Sequence, residues 1–297
     1  YYGSARENDV TWKQFVILFR SIFLEGFARP FEGIRKILLL LMQKFQEFGG
    51  EKRMHSEVQS IDTNHGTVSG VTLTDGTSIR CNNILSTIGY PETVKLYSQT
   101  QFSQTPKGQL AFCEAIAIFD RPPSHFGWDD TIVFFEKNPH FAYKKSTEEV
   151  GLSSGVICLP NNFRYTDGHA MSEGTLRVTA LSNYDKWKSL PSTMYQAVKQ
   201  RCFDQLIHQA VKILGETRIS FEDWKQHLLD RDFFTPLTIE RFTGRVNGAI
   251  YGSPQKIYDG ILPIKNLFLC GTDQGFLGII GAMLSGISIV NQHLLRS

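Results

Sequence analysis

The sequence predicts an α/β plus α+β protein, in which one part alternates helices with strands and another builds an antiparallel sheet covered by helices. Three observations lead to this fold class. Apolar residues recur at helical spacing over residues 10–48, and short β-type runs separated by turns follow them. An apolar strand, a glycine-rich loop and a helix close the chain.

The composition is that of an ordinary globular protein, with 41% apolar and 20% charged residues among 297. The net charge of +2 gives no overall field that would attract a polyanion, so nucleic-acid binding is not expected. The five cysteines form no Cys-x-x-Cys pair, and the eight histidines show no metal-ligand spacing, so we expect buried thiols and no metal. The longest apolar run, residues 37–42, is far shorter than the roughly 20 residues of a membrane span. We therefore expect a cytoplasmic protein, with peripheral membrane contact as a further possibility.

Two amphipathic helices are predicted near the beginning, over residues 10–26 and 31–48. The first carries the apolar positions Phe15, Leu18, Phe19, Ile22 and Phe23. The second carries a stripe that we expect to pack on a sheet, formed by Ile34, Leu38, Leu41 and Phe45. We expect both apolar faces to pack on the core. The alternative is docking on a membrane surface, with basic residues facing the headgroups: Lys13, Arg20, Arg29, Arg35, Lys36 and Lys44.

Beyond residue 50 the apolar period changes from helical to strand-like. Turn signals at Asn64-His65-Gly66 and Asp75-Gly76 divide residues 52–90 into a strand, a meander and a strand. Strand-like runs follow at residues 112–119, 132–135, 156–159 and 176–181, with helices near 191–214 and 221–227. Residues 93–250 are thus predicted to form the antiparallel sheet and its helical cover.

The closing segment carries the chemistry. The apolar strand 267–270 leads into a loop with glycines at 271, 275, 278 and 281, and this loop opens a helix predicted from about residue 280 to 295. Backbone N–H groups and the positive end of a helix at such a loop predict a partner with electron-rich oxygens. Neither G-x-G-x-x-G nor a P-loop occurs in the chain. Taken alone, the glycines could equally serve tight packing of the last helix on a sheet.

The closing segment, the run 240–254 and the middle segment 49–87 together resemble the glutathione-reductase-like flavoproteins. Within them the likeness is to the amine oxidase and phytoene desaturase superfamily, and specifically to bacterial phytoene-dehydrogenase-related proteins. The resemblance implies an incomplete FAD-binding domain over residues 30–92 and 251–297, interleaved with a substrate domain over 1–29 and 93–250. This sequence does not contain the G-x-G-x-x-G unit that such relatives carry at this end, so we expect a missing amino-terminal segment or chain as a partner. Glu32-Gly33 also departs from the two glycines of the relatives.

The resemblance also implies roles for individual residues in binding FAD. Asp273 matches an acidic position that hydrogen-bonds a ribityl or ribose hydroxyl, with a loop-capping aspartate as the alternative. Ile279, Ile280 and Gly281 match the helix start that faces flavin N1 and the C2 carbonyl, where negative charge develops on reduction. Gly271 and Gly278 belong to the loop before that helix. Val58 matches a position whose backbone pairs with the adenine edge, or it is an ordinary strand residue.

The expected function is that of an FAD-dependent oxidoreductase of the desaturase or isomerase type, in which an apolar, carotenoid- or polyene-like substrate transfers a hydride to flavin. Such catalysis depends on positioning the substrate in a dry tunnel, so no catalytic side chain is assigned. Candidate tunnel walls are Phe134, Phe135, Tyr143 and Phe163, with simple core residues as the alternative. Two other functions stay open: a flavin amine oxidase, and a non-catalytic fragment that binds a ligand or partner without flavin.

Overall fold

The computed structural model describes residues 4–26, 30, 33–140, 142–163, 168, 171–215 and 219–295. In this part of the chain the strands form a three-stranded antiparallel meander, a two-stranded parallel sheet and a five-stranded antiparallel sheet. Among the same residues, no helix has the length and apolarity required to cross a membrane. The mixture of parallel and antiparallel sheets with helices confirms the predicted mixed α/β class.

The first two helices lie exposed on the surface. Helix α1 (Trp12–Phe19) begins at a capping box formed by Thr11 and Gln14, and it continues as a π-helical segment, Arg20–Glu25. Helix α2 spans Ile34–Glu47. Within the described structure neither helix buries a single residue. The expected packing of both apolar faces on the core is therefore wrong.

The stripe of α2 that was expected to pack on a sheet consists instead of exposed side chains, namely Ile34, Leu38, Leu41 and Phe45. No described strand or helix lies against this stripe closely enough to bury it. Apolar periodicity shows that one helix face is apolar, but it does not show which element covers that face. Residue 31, where α2 was expected to begin, and Arg29 lie outside the described residues.

The meander consists of β1 (Val58–Asn64), β2 (Thr67–Leu73) and β3 (Ser78–Arg80). Strand β4 (Ile84–Ser86) follows and leads into helices α3 (Tyr90–Tyr97) and α4 (Gln99–Gln104). A strand from near the end of the chain, Leu267–Leu269, pairs in parallel with β4. Because parallel strands point the same way, the carboxyl ends of these two strands meet at one edge.

The five-stranded sheet occupies the middle of the chain, and its strands run in the spatial order β6-β7-β8-β5-β9. They are β5 (Ala111–Phe119), β6 (Ile132–Glu136), β7 (Ser154–Cys158), β8 (Gly174–Ser182) and β9 (Leu228–Phe234). The accompanying helices are α5 (Tyr184–Ser189), α6 (Ser192–Gly215), α7 (Phe221–Lys225) and α8 (Pro236–Thr243). The four predicted strands and both predicted helices of this region are confirmed. Strand β9 was missed because its middle residues are charged and exposed.

The two faces of this sheet differ in how fully they are buried. On one face α6 buries Phe203, Leu206 and Ile207 against alternate residues of β5, and three tryptophans complete that core: Trp128, Trp187 and Trp224. Each such aliphatic or aromatic side chain stabilises the fold by about 1.5–3 kcal/mol through burial. The other face is only partly covered, and it carries apolar side chains together with an ion pair between Arg177 and Glu114. We call it the open face: Glu114, Ile116, Ile118, Ile132, Phe134, Val156 and Arg177.

Candidate cofactor site

Two helices begin at the edge where the parallel strands end. Strand β4 leads through Gly89 into α3, and the last strand, β10 (Leu267–Leu269), leads through a 3-10 turn at Gly271–Gln274 into helix α9 (Gly278–Ile289). Helix α9 continues as a π-helical segment, Val290–Leu294. The strand, loop and helix predicted from the glycine-rich motif are confirmed, with the helix beginning at Gly278.

Asp273 lies at the centre of this edge and is 0% exposed. One of its oxygens, Oδ2, accepts a hydrogen bond from the backbone N–H of Tyr90 at 2.7 Å. The other, Oδ1, accepts from the N–H of Ser253 at 2.9 Å and from Lys256 Nζ at 3.0 Å. Helix α3 begins after Gly89, which has no side chain to cap it. The carboxylate of Asp273 therefore caps α3 from a distant part of the sequence.

The backbone approaches this carboxylate so closely that one position must be glycine. A Cβ atom on Gly252 would lie 2.0 Å from Asp273 Oδ1, and Gly252 has a φ of 71°. Both the contact and the left-handed backbone exclude a larger residue. The loop that carries Ser253 and Lys256 is thus fitted around Asp273.

Four charged side chains share this buried space: Glu92, Arg245, Lys256 and Asp273. Arg245 Nη1 lies 3.5 Å from Asp273 Oδ2 and 3.9 Å from Glu92 Oε2. Neither Arg245 Nη1 nor Glu92 Oε2 has a hydrogen-bond partner among the described residues. Each charge therefore depends on its ionic neighbours, and removing one would leave an uncompensated buried charge.

Burial also shifts the pKa values of two of these four side chains, Lys256 and Glu92. It lowers the pKa of Lys256, although the neighbouring Asp273 carboxylate opposes the shift. Burial raises the pKa of Glu92, against the hydrogen bond that Glu92 Oε1 accepts from the N–H of Val246 at 2.7 Å. The ionised forms of these two side chains are thus held at a free-energy cost.

The carboxylate of Asp273 accepts hydrogen bonds from the protein itself, as the alternative of a loop-capping aspartate predicts. Its predicted hydrogen bond to a ribityl or ribose hydroxyl stays a prediction. Sequence reasoning missed its partners Arg245 and Lys256. Arg245 lies in the run 240–254 that carries the family resemblance, but nothing in a single sequence indicates that it meets residue 273.

The N-terminus of α9 is open, in contrast to that of α3. Its N-cap residue, Leu277, makes no side-chain hydrogen bond, and its first turn contains no acidic residue within the described structure. Gly278, Ile279 and Ile280 are exposed there, and Gly281 is half-buried. An α-helix leaves its first four N–H groups without partners inside the helix. These residues thus present donors and a positive helix end to the surroundings.

Hydrogen bonds on the inner side hold the loop against α9. The N–H of Gly271 donates to Ser285 Oγ, Ser285 Oγ donates to Gln274 Oε1, and Gln274 Nε2 donates to the Tyr258 carbonyl at 3.2 Å. On the outer side, no described residue other than the chain neighbours and the backbone of α9 itself has an atom within 4 Å of the Cβ position of Gly271 or of Gly278. The glycines therefore leave space beside the helix end, and the predicted flavin contact of Gly271, Gly278, Ile279, Ile280 and Gly281 stays a prediction.

Val58 lies at the first residue of β1, opposite Leu73. The hydrogen bonds that tie the meander to the segment before β10 are at its other end, where the Val68 N–H donates to the Lys265 carbonyl at 3.0 Å. The predicted pairing of the Val58 backbone with adenine stays a prediction.

The predicted tunnel aromatics do not converge. Phe134 and Phe135 are consecutive residues of β6 and point to opposite faces: Phe134 lies on the open face, and Phe135 packs against the core cluster. Tyr143 is buried in a small cluster with Phe112, and Phe163 is half-buried after a 3-10 turn. One tunnel along the open face could therefore be lined by Phe134 but not by Phe135.

No family model matches the chain. A 4,4'-diaponeurosporene oxygenase of Staphylococcus haemolyticus (strain JCSC1435) is 25% identical over 234 residues, which make up 74% of this chain and 43% of that protein. The chain thus spans less than half the length of this relative.

Among solved structures, an oxidoreductase from Methanosarcina mazei matches with a TM-score of 0.53 and 11% identity, over 88% of this chain and 55% of that one. A putrescine oxidase variant matches with a TM-score of 0.48 and 14% identity, over 86% of this chain and 52% of that one. Over most of its length the chain therefore adopts a fold found in the Methanosarcina mazei oxidoreductase.

Proposed function

We propose that the chain is part of an FAD-dependent oxidoreductase of the desaturase or isomerase type that acts on an apolar, polyene-like substrate. The observation that carries this proposal is the open N-terminus of α9 at the end of a parallel strand. When bound there, FAD would supply the acceptor for a hydride equivalent taken from the substrate.

The residues at the open helix end fit the polar rim of a flavin ring. The N–H groups at Gly278, Ile279 and Ile280 and the positive helix end would stabilise negative charge at flavin N1 and the C2 carbonyl. The apolar side chains of Ile279 and Ile280 would exclude water from the same place. The Asp273 network holds the loop that precedes them.

An apolar substrate is supported by the similarity to a 4,4'-diaponeurosporene oxygenase and by the apolar positions of the open face, which lie beside the Arg177–Glu114 ion pair. Side chains of the open face such as Ile116, Ile118 and Val156 are half-buried and apolar. The activity belongs to the whole protein, and this chain spans 43% of that relative.

The test is retention of flavin by the purified chain. The chain is incubated with FAD, passed through a desalting column and examined for the visible flavin absorption band. We expect retained FAD in the wild type and at least about tenfold weaker binding in Gly278→Ala, because strain at a left-handed position of about 1–2 kcal/mol distorts the helix end.

A matched control is Gly66→Ala in the β1–β2 turn. Gly66 has a φ of 75° and Gly278 one of 70°, and neither has an atom within 4 Å of its Cβ position. The two variants thus carry similar backbone strain, and Gly66→Ala should retain FAD. Absence of flavin from the wild type, or equal losses in both variants, would contradict the proposal.

A further inference from the structure

Two histidines that lie far apart in the sequence line one cavity beside the five-stranded sheet. His125 belongs to the 3-10 turn Pro123–Phe126, which follows β5, and His227 directly precedes β9. Their imidazole ring centroids are 6.4 Å apart. The cavity has a volume of about 370 Å³, and its other lining residues are Ser124, Phe126, Gly127 and Ile219. Sequence spacing could not indicate this pair, because only the folding of the sheet brings the two segments together.

The backbone around both histidines is held in place by the fold. The N–H of Asp120 donates to the His227 carbonyl at 3.0 Å, next to the pairing of β5 with β9. The turn is anchored by Phe126, which is buried and lies 5.1 Å from Trp128 between ring centroids. The ring of Phe126 also contacts both imidazoles, each at 5.3 Å. The two histidines are therefore positioned by rigid elements before any ligand binds.

A carboxylate orients one of the two imidazoles. Nδ1 of His227 lies 2.9 Å from Oδ1 of Asp120. An ionised carboxylate can only accept a hydrogen bond, so Nδ1 carries the proton and Nε2 of the neutral ring keeps its lone pair. Metal-binding histidines commonly have this arrangement, because the carboxylate fixes the tautomer and the ring orientation. Arg121 Nε lies 3.8 Å from the same oxygen, but both side chains are about half exposed, so this ion pair is weak.

The other imidazole nitrogens face no protein partner. Neither Nε2 of His227 nor a ring nitrogen of His125 has a hydrogen-bond partner among the described residues. Two imidazole nitrogens that bind one ion at about 2.0–2.1 Å place their ring centroids up to roughly 6 Å apart. The observed separation of 6.4 Å is close to this limit, and His125 is exposed, so a small rotation of its side chain is sufficient.

We propose that His125 and His227 bind a divalent transition-metal ion such as Zn²⁺, with Asp120 as the positioning residue. Imidazole nitrogens suit Zn²⁺, Cu²⁺ and Ni²⁺, whereas Mg²⁺ and Ca²⁺ prefer oxygen ligands. In the described part of the chain, no group of three or more His, Cys, Asp or Glu side chains could hold a metal ion. The site thus has two protein ligands, and water in the cavity completes the coordination. The proposal is independent of flavin binding, since none of these residues belongs to the candidate cofactor site.

His208 shows what a histidine used only for packing looks like in the same part of the fold. Its ring stacks on Phe221 at 4.8 Å between centroids, with an interplanar angle of 9°. In the described structure it has no hydrogen bond to a carboxylate and no contact with a second imidazole. His227 differs from it in both respects. His208 therefore provides a matched control for the two proposed ligands.

The experiment is a calorimetric titration of the chain, free of any affinity tag, with Zn²⁺ and separately with Mg²⁺. We expect one Zn²⁺ per chain and no binding of Mg²⁺. His125→Ala and His227→Gln should each bind Zn²⁺ at least about tenfold more weakly, because each leaves a single imidazole ligand. Asp120→Ala should also weaken binding about tenfold, because the ring of His227 loses the group that orients it. The control His208→Gln should stay within about twofold of the wild type.

Thermal unfolding separates the loss of a ligand from the loss of the fold. Zn²⁺ should raise the unfolding temperature of the wild type, since an ion that binds only the folded chain stabilises it. In the presence of EDTA, His125→Ala should unfold at the wild-type temperature, because the side chain of His125 is exposed. The proposal is overturned if the wild type binds no Zn²⁺ at about 1 mM, if His125→Ala keeps full affinity, or if His208→Gln loses as much affinity as the ligand variants.

Discussion

Helices α3 and α9 follow neighbouring parallel strands, but a side chain caps only the N-terminus of α3. The first N–H of α3 donates to the buried carboxylate of Asp273. The N-terminus of α9 has no side-chain cap within the described structure, and Gly278 stands beside open space. The same edge thus contains one helix end closed by the protein and one left open.

This difference separates a structural role from a ligand-binding role. The acidic residue of the glycine-rich loop is used inside the protein, where it joins α3, the loop 245–256 and the loop before α9. The first turn of α9 has no side-chain cap among the described residues. We therefore propose that the N-terminus of α9 contacts the flavin directly, whereas the carboxylate of Asp273 holds the loop.

The largest expected effect on stability is that of removing the Asp273 carboxylate, which caps α3. Asp273→Ala removes the cap of α3 and leaves Lys256 and Arg245 buried without their shared acidic partner. We expect a loss of about 3–5 kcal/mol in the free energy of unfolding, measured by urea denaturation. Asp129→Ala changes an exposed aspartate and should stay within about 0.5 kcal/mol of wild type. A loss below about 1 kcal/mol for Asp273→Ala would show that the network does not hold this edge.

A second substitution isolates the contribution that the ion pair between Asp273 and Lys256 makes to stability. Lys256→Met leaves Asp273 with Arg245 as its cationic neighbour, and we expect it to cost about 2–3 kcal/mol. Adding Asp273→Asn to Lys256→Met should then cost less than the sum of the two single changes, because each removes the other's unpaired charge. Additive losses in the double-mutant cycle would mean that the two side chains do not act as a pair.

A smaller effect on stability is expected from adding a capping carboxylate at the N-terminus of α9. Leu277 is the N-cap residue of α9 and has the extended backbone that suits a capping side chain. Leu277→Asp should therefore be about 1 kcal/mol more stable than Leu277→Ala in the absence of ligand, as measured by thermal unfolding. If both variants have the same stability, the helix end is already satisfied and the contrast with α3 does not hold.

The smallest effect concerns Glu92. Because burial raises its pKa above the ordinary value of 4.5, the folded protein binds this proton more tightly than the unfolded chain. Its contribution to stability is then complete below pH 4.5 and declines as the pH rises through the folded pKa. The stability of the wild type relative to Glu92→Gln should fall across this window in thermal unfolding at a series of pH values. A rise instead would mean that Arg245 outweighs burial.

Much of the fold could be predicted from the sequence, because strand alternation and turn chemistry are local signals. The meander and four strands of the large sheet could be predicted for this reason, and α6 could be predicted from its helical apolar spacing. The exposure of α2 could not be predicted, because apolar periodicity identifies an apolar helix face but not the element that packs on it. Strand β9 was missed because pairing with β5, rather than its own charged residues, keeps it in the sheet.

The site could be predicted only in part. The glycine-rich motif indicated where a helix end would open, and the structure places that end at Gly278. The contacts of Asp273 with Tyr90 and Lys256 could not be predicted, since they join segments that are far apart in sequence. Likewise, the contact of Phe23 with Phe134 depends on the path of α1 over the sheet.

FAD affinity, measured by equilibrium titration of three forms of the chain, tests directly whether the open end of α9 contacts the flavin. Wild type and Leu277→Ala should bind FAD, and Leu277→Asp should bind at least about tenfold more weakly, because its carboxylate occupies the N–H donors and repels the negative flavin rim. Equal affinities of Leu277→Asp and Leu277→Ala, or no binding by the wild type, would show that the N-terminus of α9 does not hold the flavin.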